Sequence, residues 1–212
     1  MNVSNLTHRE RLEKLIAGEK IDRLPVALWR HFPVDDQSAD GLAAATINYQ
    51  QSFDFDFVKI SPSSSFCLQD WGVTSAWSGS KEGTREYTRR VIHHPEDWSN
   101  LPVLDPRSGR LGEQLQAAEL ITNGIGIDTP VIQTVFSPLS QAKNLIGPNE
   151  LVVSMRKHPE ELLSGLQTIT ETIIQFIREL EKTGISGLFY AIQHAQYGLV
   201  SQEEYQEFGK KF

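Results

Sequence analysis

The sequence predicts an α/β protein: a partial TIM-barrel-like (β/α) fold with about four parallel strands and a small antiparallel excursion. Three observations carry this. Short apolar runs near residues 25, 55, 130 and 187 alternate mainly with helical patterns, the signature of repeated βα units and a parallel sheet. Leu162, Leu166, Ile169, Ile173, Phe176 and Leu180 recur at spacings of three and four, as one buried face of a long helix requires. Between residues 72 and 92, Gly79 and Gly83 punctuate short alternating runs, as in an antiparallel hairpin.

The elements follow in order. Thr7 and Glu10 make a T-x-x-E capping box for a first helix with Leu12, Leu15 and Ile16 as its apolar stripe and Gly18 as its stop. "PVALW" at 25–29 reads as a short strand, and a helix follows over roughly 40–52. "FDFDFVKI" supplies a strand at 55–60 that is almost continuously apolar, as in a sheet covered on both sides. A helical turn after Pro95 precedes a helix through Leu111, Leu115 and Ala118 that ends near Gly124 or Gly126. "TPVIQTVF" is the next strand, and Pro138 and Pro148 start two shorter helices, 138–146 and 149–156. The long helix from Pro159 closes at Gly184, "SGLFYAI" is the fourth strand, and Ser201 with Glu204 caps a last helix.

A complete (β/α)8 barrel takes about 250 residues and eight strands. The 212 residues hold roughly half the strands and read as a single truncated domain, 1–212. An open parallel sheet exposes apolar edges. The expectation is therefore a homo-oligomer, a curled open sheet, or a chain that needs a missing barrel half.

Composition narrows the function classes. Twenty basic against 27 acidic residues give a net charge of −7, which argues against a nucleic-acid partner. One cysteine, Cys67, leaves neither a disulfide framework nor a multi-cysteine zinc motif. With no apolar leader and no run long enough to span a bilayer, the expected location is the cytoplasm. Walker, GxGxxG and HExxH motifs are absent.

In parallel α/β folds the cleft lies beyond the carboxyl ends of the strands. Arg30 and His31 follow the first strand directly; Arg30 suits a carboxylate held by two parallel hydrogen bonds, and His31 a donor or proton carrier. The structural alternative pairs Arg30 with Asp35 or Asp36. Lys59 within the second strand is a candidate anchor for an acidic substrate or a paired structural lysine, and Ser61 lies just beyond it. Asp54 and Asp56 precede that strand and read as strand-start or capping groups at the opposite end. Cys67 reads as a small buried hydrophobe and Asp70 as a possible charge partner or acid. Gln133 and Asn144 flank the third strand's end; Tyr190, Gln193 and His194 form a polar cluster after the fourth, where His194 is either catalytic or a loop tether.

"RERLEKLIAGEKIDRLPVALWRH", "DFDFVKI", "TPVIQTVFSPLSQAKNLIG" and "GISGLFYAIQHAQYGLVS" together resemble the uroporphyrinogen decarboxylase superfamily, with "GEKIDRLPV" the most specific stretch. The similar segments correspond to the amino-terminal part of the family barrel. The resemblance implies that Arg30 contacts substrate carboxylates, as the first arginine of the family's "RQAGR" motif. The chain departs from the decarboxylase pattern at three points: "HFPVD" omits the second arginine, "SPSSS" stands where a substrate-binding aspartate is expected, and Asn144 matches a tyrosine. The decarboxylase branch implies an acidic tetrapyrrole substrate and no cofactor. The related methyltransferase branch implies a methylated small substrate, a corrinoid and zinc, with zinc ligands in the later barrel half. The activities implied are thus a carboxy-lyase, a fragment of a corrinoid-dependent methyltransferase, or a noncatalytic binding or assembly module on the same scaffold.

Overall fold

The computed structural model describes residues 6–212. Helix α1, His8–Ile16, starts at the expected capping box, with Thr7 and Glu10 each accepting from the other's backbone. Helix α2, Ala39–Phe53, is capped by Ser38 and leads into strand β1, Val58–Ile60. The hairpin β2, Thr74–Ala76, and β3, Glu86–Arg89, is the antiparallel excursion. Helix α3, Gly109–Ile125, precedes strand β4, Val131–Phe136. Helices α4, Pro138–Ile146, and α5, Pro148–Lys157, each begin on a proline, whose missing N–H costs nothing in the first turn. Helix α6, Pro159–Leu180, strand β5, Gly187–Ala191, and the short α7, Gln202–Tyr205, complete the chain.

Strands β1, β4 and β5 form a parallel sheet in that order, not closed into a barrel, and β2 and β3 form a separate two-stranded sheet. The register pairs Lys59 with Ile132 and Ile60 with Gln133, then Thr134 with Phe189 and Val135 with Tyr190. Paired residues in parallel strands share a face, and faces alternate along each strand. Val58, Ile60, Gln133 and Val135 thus lie on one face and are buried there, whereas Leu188 and Tyr190 of β5 on the same face are exposed. Lys59, Ile132, Thr134, Phe136 and Phe189 lie on the other.

The helices supply the cover for the buried face. The six residues that recur along α6 are all buried, Leu162, Leu166, Ile169 and Leu180 at 0% exposure. A turn at Pro95–Asn100 sets Trp98 so close to this helix that a Cβ on Gly165 would lie 2.5 Å from the indole. The indole N–H donates to Ser154 at 3.1 Å, so one residue ties the turn to α5 and α6 together.

One element differs from its sequence reading. Residues 25–29 are extended but form no ladder: Val26 exchanges one bond with the backbone of Asp56 at 2.9 Å and no further strand bond follows. The cause is a missing neighbour. Leu24, Val26 and Leu28 are 74, 55 and 63% exposed, so nothing packs on the apolar residues that made the run look buried. The expected strand at 55–60 likewise pairs only over Val58–Ile60.

Asp56 holds this amino-terminal arm in place. Its carboxylate, 1% exposed, accepts from Arg11 at 2.6 Å, from the Val26 N–H at 2.6 Å and from both Nη groups of Arg23, and lies 3.0 Å from His8 Nδ1. Arg11 in turn forks onto Asp22, with both bonds at 2.7 Å. Burial pushes the Asp56 pKa up, but the bonds from Arg23, His8, Val26 and Arg11 outweigh it and hold the carboxyl well below its usual range. Removing one member of such a buried ion cluster costs about 3–5 kcal/mol. Asp56→Ala is expected to lose about that much in urea unfolding followed by tryptophan fluorescence. Because the folded pKa is depressed, the contribution is intact above the unfolded carboxylate's pKa and disappears as pH falls toward the folded one.

Candidate functional site

The sheet face opposite Val58 and Ile60 carries a cation on its edge strand β1. The Lys59 ammonium lies 4.9 Å from the Trp29 ring centroid and 4.4 Å from that of Phe189, and donates to Ser61 Oγ at 3.3 Å. Trp29 and Phe189 themselves meet at 5.8 Å, bridging the amino-terminal arm and β5 across the lysine. Two aromatic faces stabilise a cation without neutralising it. Burial is the cause that lowers the Lys59 pKa, to about 8, and no acidic group among the described residues offsets it.

Arg30 and His31 sit at the margin of this face. Arg30 is exposed, its guanidinium 5.4 Å from the Phe32 ring centroid and its Nε donating to the His31 carbonyl at 3.4 Å. The structural pairing with Asp35 or Asp36 does not form, because Asp36 is taken by Arg85 at 2.8 Å. His31 is half-buried, and its Nδ1 is buried with no hydrogen-bond partner among the described residues. Burial first, then the Lys59 charge, holds its pKa below the usual histidine value. Arg30, His31 and the β2–β3 loop with Trp77 and Lys81 enclose a groove of about 410 Å³.

The other sequence candidates fall into two groups. Ser61 is buried beside Lys59 and belongs to the site. Tyr190, by register, shares the helix-side face with Val135 and points away from Lys59; burial raises its pKa, and the neighbouring Tyr205 adds to the effect. Asn144 is buried on α4, where its carbonyl accepts from Arg90. His194 adopts a left-handed backbone, φ 63°, after β5, and its pKa is lowered by burial and then by Lys143. The Lys143 ammonium donates to the Gln193 side chain, and Ser140 Oγ accepts from the Gln193 N–H at 2.7 Å, so this loop is tied to α4.

Several groups have structural roles. Asp70 accepts from the Arg110 and Leu111 N–H groups at 2.9 and 3.0 Å, capping α3. Gly109 at φ 57° allows that approach, since a Cβ would sit 2.2 Å from the carboxylate. Gln133 accepts from Gln114 at 2.9 Å beneath the sheet. In "SPSSS" the hydroxyls satisfy one another: Ser63 meets Ser65 at 3.0 Å, and Ser65 meets Ser75 of the hairpin at 2.7 Å. Cys67 is buried, and burial pushes its thiol up to about 12. Such a thiol makes a poor zinc ligand, since zinc binds the thiolate. Among the described residues no three His, Cys, Asp or Glu side chains come together as a metal site, so no zinc chemistry is assigned to them.

Trp29 and Phe189 are the residues that sequence reading missed. The signal was parity: Lys59 and Phe189 occupy the same face once β4 is placed between β1 and β5.

The fold is thus an open α/β sheet with Lys59 held between two aromatic rings on one of its faces. Residues 7–212 match the family described as Uroporphyrinogen decarboxylase (URO-D), and the chain belongs to that family. Among solved structures it is similar to a methyltransferase from Methanosarcina mazei, with 19% sequence identity and a TM-score of 0.81. The match covers 98% of this chain and 65% of that one, so the chain spans less than two thirds of its structural relative. A search of curated proteins found no match. No helix among the described residues is long and apolar enough to cross a membrane.

The environment of Lys59 makes a direct expectation. In a lysine-selective NMR titration its side-chain resonances move with a midpoint near 8, well below the 10.5 of ordinary lysines. A midpoint at the ordinary value would mean that the ammonium is solvated rather than held between the rings.

Proposed function

We propose that the open sheet face binds a carboxylate-bearing small molecule, in a uroporphyrinogen decarboxylase-like scaffold whose natural ligand is an acidic tetrapyrrole or another small carboxylate. The observation that carries this is Lys59: a half-buried ammonium between two rings, with no acid among the described residues to neutralise it. A bound carboxylate supplies the missing counter-charge, and charge-assisted hydrogen bonds are the strong ones. Ser61 offers a second polar contact, and the flat faces of Trp29 and Phe189 suit a planar, apolar ligand body. Exposed Arg30 is free to close on a second carboxylate from the rim. Carboxy-lyase chemistry on such a ligand requires a proton delivered to the carbon that loses carbon dioxide. His31, with one ring nitrogen unpartnered, is the group assigned to move it.

One-carbon transfer is the second reading. It is favoured by the name of the solved relative and by Val34 standing where the family's decarboxylase motif has its second arginine. A corrinoid supplied with a methylated substrate separates the two: methyl transfer supports this reading, and release of carbon dioxide from a tetrapyrrole supports the first. Specific binding without turnover in either assay identifies a noncatalytic module.

The chain is taken to be a single truncated domain of the cytoplasm whose open sheet is completed by a second copy or by further barrel sequence. For the 212-residue chain alone, light scattering is expected to give a defined multiple of 23.9 kDa.

Binding is tested with uroporphyrin, a fluorescent polycarboxylate, by fluorescence titration. Removing one charged hydrogen-bond partner costs about 1.5–3 kcal/mol, so Lys59→Met is expected to weaken binding by about 10- to 100-fold. The bound carboxylate needs the protonated amine. Affinity is therefore expected to be level below about pH 7 and to fall as pH rises through 8, approaching tenfold per unit. Unchanged affinity in Lys59→Met contradicts the assignment.

A further inference from the structure

A second concave site lies away from the sheet face, between the Pro95–Asn100 turn and the junction of α4 and α5. It is a groove of about 540 Å³, within the range of small-molecule sites. Ile92, Trp98, Ile146 and Val153 give it apolar walls, and three histidines, His93, His94 and His158, line it with Arg90.

Arg90 is the distinctive member. Its guanidinium stacks 4.9 Å from the Tyr87 ring centroid while one Nη donates to the Asn144 carbonyl, which fixes the side chain and leaves other N–H groups unused. Arg85, five residues earlier, is neutralised by Asp36, whereas Arg90 has no ion-pair partner among the described residues. Lys143 is half-buried close by and carries a second uncompensated charge, its pKa lowered by burial and then by Arg90 itself. Two like charges, partly desolvated and without a counter-ion, are costly unless an anion joins them.

Two acids stand near the groove. Glu150, exposed in the first turn of α5, has its carboxylate beside Gly147, at the helix start and not on Arg90. Asp97 accepts from the His93 and His94 N–H groups, both at 2.8 Å.

We propose that this groove is an oxyanion-binding site, in which Arg90 holds the carboxylate or phosphate of a small ligand whose apolar body lies against Ile92, Ile146 and Val153. It is separate from the sheet face, and Lys59 plays no part in it. The histidines add hydrogen bonds at the groove wall.

Calorimetric titration of the full chain with benzoate and with phenyl phosphate tests the site and distinguishes carboxylate from phosphate; phenol is the uncharged control. At least one anion is expected to bind saturably and phenol not to. The titrations are repeated in a Lys59→Met background, which removes the sheet-face carboxylate site; there Arg90→Met is expected to weaken the anion by tenfold or more and Arg90→Lys by less. Val153→Trp fills the groove from an exposed position while Arg90 itself is kept, and is expected to abolish binding; it decides the matter if Arg90→Met fails to fold. No binding of either anion, equal binding of phenol, or full affinity in Val153→Trp overturns the proposal. Loss of binding in Lys59→Met would place the anion on the sheet face instead.

Discussion

The buried carboxylate of Asp56 is the constraint on which the placement of the site depends. It stands at the amino end of β1, yet it decides what happens at the other end. By accepting from the Val26 N–H while its own N–H donates to the Val26 carbonyl, Asp56 locks the arm beside β1 at a fixed register. Three residues later Trp29 meets Lys59, and the next two positions are Arg30 and His31. A residue with no contact to any ligand thus sets where the aromatic clamp and the rim cations stand. Asp22 and Arg23 of "GEKIDRLPV", the stretch most typical of the family, belong to the same cluster. That stretch is an anchor rather than part of the cleft.

The second organising fact is alternation across the sheet. One face pays its way by burying Val58, Ile60 and Val135 under helices. The opposite face of the same three strands carries Lys59, Phe136 and Phe189, and the arm meets it through Trp29. A half-buried lysine there has no neighbour to pair with, and burial lowers its pKa to about 8. The same imbalance recurs at Arg90 and Lys143 beyond the helix layer, so the molecule presents uncompensated positive charge in two places although its net charge is −7. Overall charge says little about what a concave site attracts; the local partners decide it.

Much of the fold was legible because helices announce their ends. The capping boxes at Thr7 and Ser201, the prolines at 138, 148 and 159 and the spacing of α6 all appear where the sequence places them. The strand at 25–29 misled for a physical reason: an apolar run records what a chain could bury, and Leu24, Val26 and Leu28 have nothing to bury against. At the site, Lys59 and Ser61 were legible from their position at the strand end, and the structure brings them together. Tyr190 was not, since its face depends on the register between β4 and β5, which no local pattern encodes. The separation of Arg30 from Asp36 was hidden for the same reason, because the competing Arg85 comes from the hairpin 49 residues away.

The central claim is that Lys59 awaits a carboxylate. A crystal structure of the chain with a bound polycarboxylate tetrapyrrole tests it most directly. The account predicts a carboxylate oxygen within about 2.7–2.9 Å of the Lys59 ammonium, with the ligand plane against Trp29 and Phe189. A ligand bound elsewhere, with Lys59 still unpaired between its two rings, would contradict it.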